Sequence, residues 1–290
     1  MRPLDIAAAA AVIVIWALNF IIGKIGVAQW PPVFMMLLRF ALVAMLLAPF
    51  LRPHGKPWAL IFGLSVVLGG LHFGLLFTGL RGVDAGPAAL AIQLAIPFSS
   101  LIAAVVYGER MGRWQMIGMV IAFAGVYLIG GEPKMAPSLF HFLLVVGAAL
   151  AWAVANIFIK RIGSVNVFIL NAWVAVFALP QLALATAVLE DGHMDALANA
   201  DWRGWGAVAF MAIGSSIIAY GFWYALVRKY DVNRVVPLTL IAPVLAVMLA
   251  VLILNEPLTV RIVVGGLITT GGVAMIQLTR PADKQTVAQP

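Results

Sequence analysis

The chain has 290 residues, of which 64% are hydrophobic and only 10% charged, against about a quarter charged in a soluble domain; this composition excludes a soluble protein. The absence of cysteine excludes a disulfide framework, a thiolate nucleophile and a sulfur-ligated metal site. The net charge of +7 raises the question of a nucleic-acid partner, which the placement of the lysines and arginines answers.

Apolar stretches lie near residues 4–27, 31–50, 58–80, 86–107, 112–130, 139–161, 166–189, 204–227, 232–254 and 260–278. Each is long enough to cross a bilayer as a helix of about 20 residues, so the expected fold is an all-α integral membrane protein with ten transmembrane helices. Span one begins like a signal peptide, with Arg2 before an Ala-rich run. It continues to about Val27 and nine spans follow, so it is expected to remain in the mature protein. Breaks such as Gln29-Trp30-Pro31-Pro32 and Arg52-Pro53-His54-Gly55-Lys56-Pro57 mark loops by their turn chemistry. With the N-terminus in the cytoplasm, the inside segments hold 12 lysines and arginines and the outside segments 5, with Arg39 alone inside a span. The positive-inside rule therefore expects both termini in the cytoplasm and a multi-pass protein of the inner membrane. The basic residues form a cytoplasmic collar, and no nucleic-acid partner is expected.

The chain repeats itself. Arg81, Asp84 and Glu109 recur as Arg228, Asp231 and Glu256 at an offset of 147, which Gly118/Gly265 and Gly125/Gly272 share. Trp16 and Lys24 recur as Trp152 and Lys160 at an offset of 136, with Asn19 and Asn156 one position out of step. The expected units are a first repeat at 1–130, a linker at 131–138, a second repeat at 139–279 and a tail at 280–290. Five spans per copy is an odd number, so the halves insert upside down relative to each other, as in transporters that alternate access.

Trp16-Ala17-x-Asn19-Phe20, Leu38-Arg39-Phe40, Gly108-Glu109-Arg110 and Asn255-Glu256-Pro257, in that order and duplicated, resemble the EamA-type transporters of the drug/metabolite transporter superfamily over essentially the whole chain. The resemblance implies a ten-span, pseudosymmetric carrier that exports small metabolites, and the aromatic amino-acid exporters of the superfamily are the comparison it suggests.

In inverted-repeat carriers the substrate sits near the midplane, where helices are interrupted. Pro97 and Pro243 fall mid-span in spans four and nine. Each deprives the carbonyl four residues earlier, that of Gln93 or Thr239, of its helical partner. Spans four and nine are thus expected to face a wet central cavity; the alternative is that the prolines only kink packed helices. Burying Arg39 in a span costs roughly 2.5–3.5 kcal/mol. Either backbone carbonyls, tyrosines and water satisfy it, the structural role the resemblance favours, or it meets a substrate anion. His72 is the one residue deep in a span whose type could titrate at physiological pH, as a packing residue or as a proton relay. Trp16, Asn19, Trp152 and Asn156 occupy related places in the two copies. Tyr220, Trp223 and Tyr224 share one face of span eight, lining the cavity or forming an interfacial aromatic belt. The expected substrate-binding set is Trp16, Asn19, Arg39, His72, Gln93, Trp152, Asn156, Tyr220, Trp223 and Thr239.

Asp84 and Asp231 precede spans four and nine and are expected to cap their amides. Glu109 and Glu256 are expected near the positive ends of spans five and ten. The glycines seven apart suggest a helix-packing seam, with a dimer interface as one option. The protein is expected as a monomer or homodimer, with a small-molecule substrate, the lipid bilayer around it and no cofactor. A membrane enzyme would need a reactive constellation that four histidines and no deep carboxylate do not supply. A channel gives no reason for matched proline breaks, and no nucleotide-binding loop provides ATP drive. The expectation is a secondary carrier exporting metabolites, amino acids and aromatic ones among them, by alternating access; another metabolite or drug-like solute, carried with proton coupling, is the alternative.

Overall fold

In hydrocarbon a backbone must satisfy its own hydrogen bonds, so uninterrupted apolar runs become helices. The computed structural model describes residues 1–53, 55–109, 111–132, 138–230 and 235–279. The membrane helices are α1 (Pro3–Val27), α2 (Pro32–Leu46), α3 (Trp58–Gly82), α4 (Ala85–Tyr107), α5 (Arg113–Gly130), α6 (Leu139–Ile162), α7 (Val167–Leu189), α8 (Trp202–Lys229), α9 (Pro237–Leu254) and α10 (Val260–Leu278). There is no strand among the described residues. The 15-residue α2 is the shortest, and a 3₁₀ turn at Ala48–Phe50 follows it. A short helix, His193–Asn199, bridges α7 and α8.

The duplication shows in the irregularities. A π-helical stretch, Ser65–His72, interrupts α3, and another, Phe210–Ala219, interrupts α8. A 3₁₀ turn breaks α4 at Ile92–Leu94 and opens α9 at Val236–Leu240. Helices α4 and α9 both end on a left-handed residue, Gly108 (φ 65°) and Asn255 (φ 55°), which are 147 positions apart. These are the two five-helix repeats, inverted in the membrane.

The repeats meet where α5 crosses α10. A Cβ on Gly272 would lie 2.5 Å from the Gly118 carbonyl oxygen, and one on Gly125 would lie 2.6 Å from that of Gly265. Backbone therefore packs on backbone, as small residues allow in a membrane. The glycine seam thus joins the repeats within one chain, not two chains across a dimer.

Contacts sort the loops into two faces. On the face opposite the N-terminus, the Glu190 carboxylate after α7 accepts the amides of Val33 and Phe34 (2.8 and 2.9 Å) at the start of α2. There Gln29 and Asp201 exchange hydrogen bonds at 2.8 and 3.1 Å, and Asp201 also caps α8. Those bonds hold its carboxyl below the usual aspartate range, the Gln29 bond foremost. On the N-terminal face Lys229 and Tyr230 both bond Asp5 at 2.6 Å, and Lys160 pairs with Glu109 at 2.8 Å.

Candidate functional site

Arg39 on α2 is 1% exposed. Its Nη2 and Nε donate to Ser216 Oγ at 2.9 and 3.2 Å. The Ser216 hydroxyl donates onward to the Met211 carbonyl, five residues back along the π stretch of α8. The guanidinium carbon lies 4.2 Å from the centroid of the Phe73 ring on α3, a cation–π contact away from water. Arg39 thus ties α2 and α3 to α8 across the repeats. Ser216 and Phe73 were not among the expected site residues; the paired hydroxyls Ser215-Ser216 in the middle of an apolar span were the available signal.

Two aromatic pairs sit in repeat-related places. Trp16 meets Tyr220 edge-on at 6.1 Å and Trp223 at 5.3 Å. Trp152 meets the His72 ring at 4.8 Å. Each pair joins the first helix of one repeat to the π-broken third helix of the other. His72 Nδ1 lies 2.8 Å from the Ala148 carbonyl, which only accepts, so that nitrogen carries the proton. The rings of His72, Phe73 and Phe40 form a continuous path to Arg39. Tyr224 parts from Tyr220 and Trp223, because its hydroxyl donates to the Val165 carbonyl at 2.8 Å.

Asn156 donates to Ser99 Oγ on α4 at 3.1 Å. Its relative Asn19 is 8% exposed, and Asn19 Oδ1, like Gln93 Nε2, is buried with no hydrogen-bond partner among the described residues. Pro97 and Pro243 are both buried. The turn ahead of each proline tightens to 3₁₀, where the amide of Ala95 faces the carbonyls of Ile92 and Gln93 and that of Ile241 those of Leu238 and Thr239. Thr239 is partly buried in that turn.

The acidic anchors differ from expectation. Asp84 makes no side-chain cap on α4. Instead Glu256, after α9, accepts the amides of Ala85 and Gly86 at 2.6 and 3.0 Å. It therefore serves the amino end of α4, not that of α10, where Thr259 caps. Glu109 pairs with Lys160 rather than with α5, and Asp231 lies outside the described residues.

The profile of the EamA-like transporter family matches residues 4–131 and again 139–278, almost the whole chain in two copies. The chain belongs to the EamA-like transporter family. As a family member it is a multi-pass membrane transporter and not an enzyme. Among its relatives is a probable amino-acid metabolite efflux pump of Salmonella typhimurium, 31% identical over 277 residues and 91% of each chain. The Escherichia coli protein of the same description is 31% identical over 268 residues, 89% of this chain and 90% of that one. An uncharacterized inner membrane transporter of E. coli, YedA, is 24% identical over 82% of this chain and 79% of its own. A solved crystal structure superposes with a TM-score of 0.62 at 21% identity, covering 95% of this chain and 96% of that one, a likeness of fold.

Proposed function

We propose that this transporter exports amino acids, aromatic ones included, as a secondary carrier working by alternating access. The observation that carries the reading is the pair of repeat-related aromatic clusters, Trp16 with Tyr220 and Trp223, and Trp152 with His72. They stand where α3 and α8 leave α-helical geometry, and such π segments recur at functional sites. Flat, apolar rings with polar tips suit an aromatic or large apolar side chain. The unpaired Asn19 Oδ1 offers an acceptor for an ammonium group and the unpaired Gln93 Nε2 a donor for a carboxylate. Arg39 serves as a cross-tie, because Ser216 and Phe73 already occupy its guanidinium. The relatives described as amino-acid metabolite efflux pumps support the same substrate class.

The units that rock are the repeats at 1–130 and 139–279, joined by 131–138, with 280–290 as a cytoplasmic tail. The charge distribution supports a cytoplasmic N-terminal face, with the face of Glu190, Asp201 and Glu256 outside. Transport proceeds without proton coupling, a reading supported by the absence of any Asp or Glu deep in a span. The test is counterflow in proteoliposomes of the purified chain, preloaded with one amino acid at equal pH on both sides. Accumulation of labelled Trp or Phe supports the reading. No accumulation of any amino acid by folded protein would remove the substrate class, and accumulation only under a pH gradient would remove the uncoupled mechanism.

A further inference from the structure

The turn between α3 and α4 is pinned at both of its helix ends by residues from other helices. Lys24, at the end of α1, donates from Nζ to the carbonyls of Leu80 and Val83 at 2.8 and 2.7 Å. Glu256, from the second repeat, accepts the first amides of α4. A cation on the carboxyl end of one helix and an anion on the amino end of the next each complement a helix dipole and fill orphan backbone positions. The left-handed Asn255 ends α9 and turns the chain just ahead of Glu256. Below this turn the outer part of α4, Ala85–Ala91, is buried at every residue.

The repeat-related residues on the other face do something else. Lys160 and Glu109 bond each other, with side chains 58% and 44% exposed. The counterpart of Ala85–Ala91 in the second repeat, 232–238, lies in part outside the described residues. Repeat-related residues are therefore engaged differently on the two faces: Lys24 and Glu256 hold helix ends, whereas Lys160 and Glu109 hold each other.

We propose that Lys24 and Glu256 are the latch of the outer gate, and that the latch is shut in this structure. Opening outward requires both side chains to leave the α3–α4 turn, freeing the outer half of α4 to separate from α9. The proposal rests on the alternating-access reading above, but its readout is accessibility, not transport.

The chain has no cysteine, so a single reporter can be introduced without background. Ala91→Cys lies one turn below Pro87, which lines an outer cleft beside Asp84 and Pro257. Whole cells would be treated with a membrane-impermeant maleimide, with Ala198→Cys, on the exposed outer helix, as the reference for full labelling. Glu256→Ala and Lys24→Met are each expected to raise the labelling rate of the reporter about tenfold, the size of effect that losing one helix cap gives. Glu109→Ala and Lys160→Met are expected not to raise it. Each variant is scored only if its thermal melt stays cooperative, and Lys24→Met, which keeps the apolar stem of the side chain, carries the test if Glu256→Ala does not fold. Unchanged labelling in the folded latch variants, or an equal rise in the Glu109 and Lys160 variants, would overturn the latch. Unchanged labelling with intact amino-acid counterflow would do so while leaving the transport reading in place. A tenfold rise in a protein that moves no amino acid would keep the latch and remove the substrate class.

Discussion

Ser216→Ala is the most direct probe of what holds the repeats together at the midplane. Two N–H groups of a guanidinium that is 1% exposed converge on one hydroxyl oxygen, at 2.9 and 3.2 Å. A hydrogen bond to a charged group contributes about 1.5–3 kcal/mol. The Phe73 face still holds the guanidinium after the substitution, so the two bonds together are set at about 2–3 kcal/mol rather than at twice the single value. At roughly 2–4 °C per kcal/mol for a chain of this order of size, the melting temperature should fall by about 4–12 °C. The assay is tryptophan fluorescence or size-exclusion melting of the purified protein in detergent. Arg39→Met supplies the control. Removing a buried charge together with its partner is often neutral or stabilising, so the double variant should melt above Ser216→Ala alone. An unchanged melt for Ser216→Ala, or strictly additive losses in the double variant, would refute the cross-tie.

Gly272→Ala and Gly125→Ala should each cost about 1–3 kcal/mol by overpacking, because the new methyl meets carbonyl oxygens of the opposing helix. Gly206→Ala, with nothing within 4 Å, should hold or gain stability in the same melt. Asn255→Ala should lose about 1–2 kcal/mol through left-handed strain while Asn255→Gly does not; equal melts would refute it. Gln93→Ala should slow counterflow while leaving the melt unchanged, and normal kinetics would remove Gln93 from the site. Burial holds the Glu256 carboxyl above the ordinary glutamate range, against the lowering effect of the Gly86 and Ala85 amides, with Asp84 raising it and Lys24 lowering it. A closed face with a raised pKa binds the proton more tightly than an open, solvated one. Its contribution is therefore complete below the ordinary glutamate pKa and is lost as pH rises through the raised value. The melt should decline across that window and Glu256→Gln should flatten the decline; an equal slope in both proteins would refute the assignment.

Apolar length and the 147-residue offset were enough to place ten helices and to expect inverted repeats, because bilayer thickness and backbone satisfaction leave a chain of this composition few alternatives. The glycine pairs were legible as a seam for the same reason: spacing of seven returns a residue to nearly the same helix face. Which helix faced that seam was not, and the structure gave it to the other repeat. Trp16, Trp152, Tyr220 and His72 could be named from their depth and repeat position, yet their pairing across the repeats required the helices to be brought together. Proline positions located the breaks in α4 and α9, but not the 3₁₀ tightening ahead of each proline. Nor did they mark the π stretches of α3 and α8, which no residue type announces.

Carboxylates show the division most clearly. Local reasoning assigned Asp84 to the helix it precedes and Glu256 to the helix it precedes, since capping is a near-neighbour interaction in sequence. In the fold Glu256 serves a helix 170 residues away and Glu190 one 156 residues away. Periodicity, length and repeat offset are properties of one strand of sequence, so the sequence by itself determined the membrane class, the helix count and the inverted duplication. The partner of a polar side chain depends on which helix ends share a membrane face after folding. That is why the Arg39–Ser216 tie, the aromatic pairs and the Lys24–Glu256 corner were decided only by the tertiary structure.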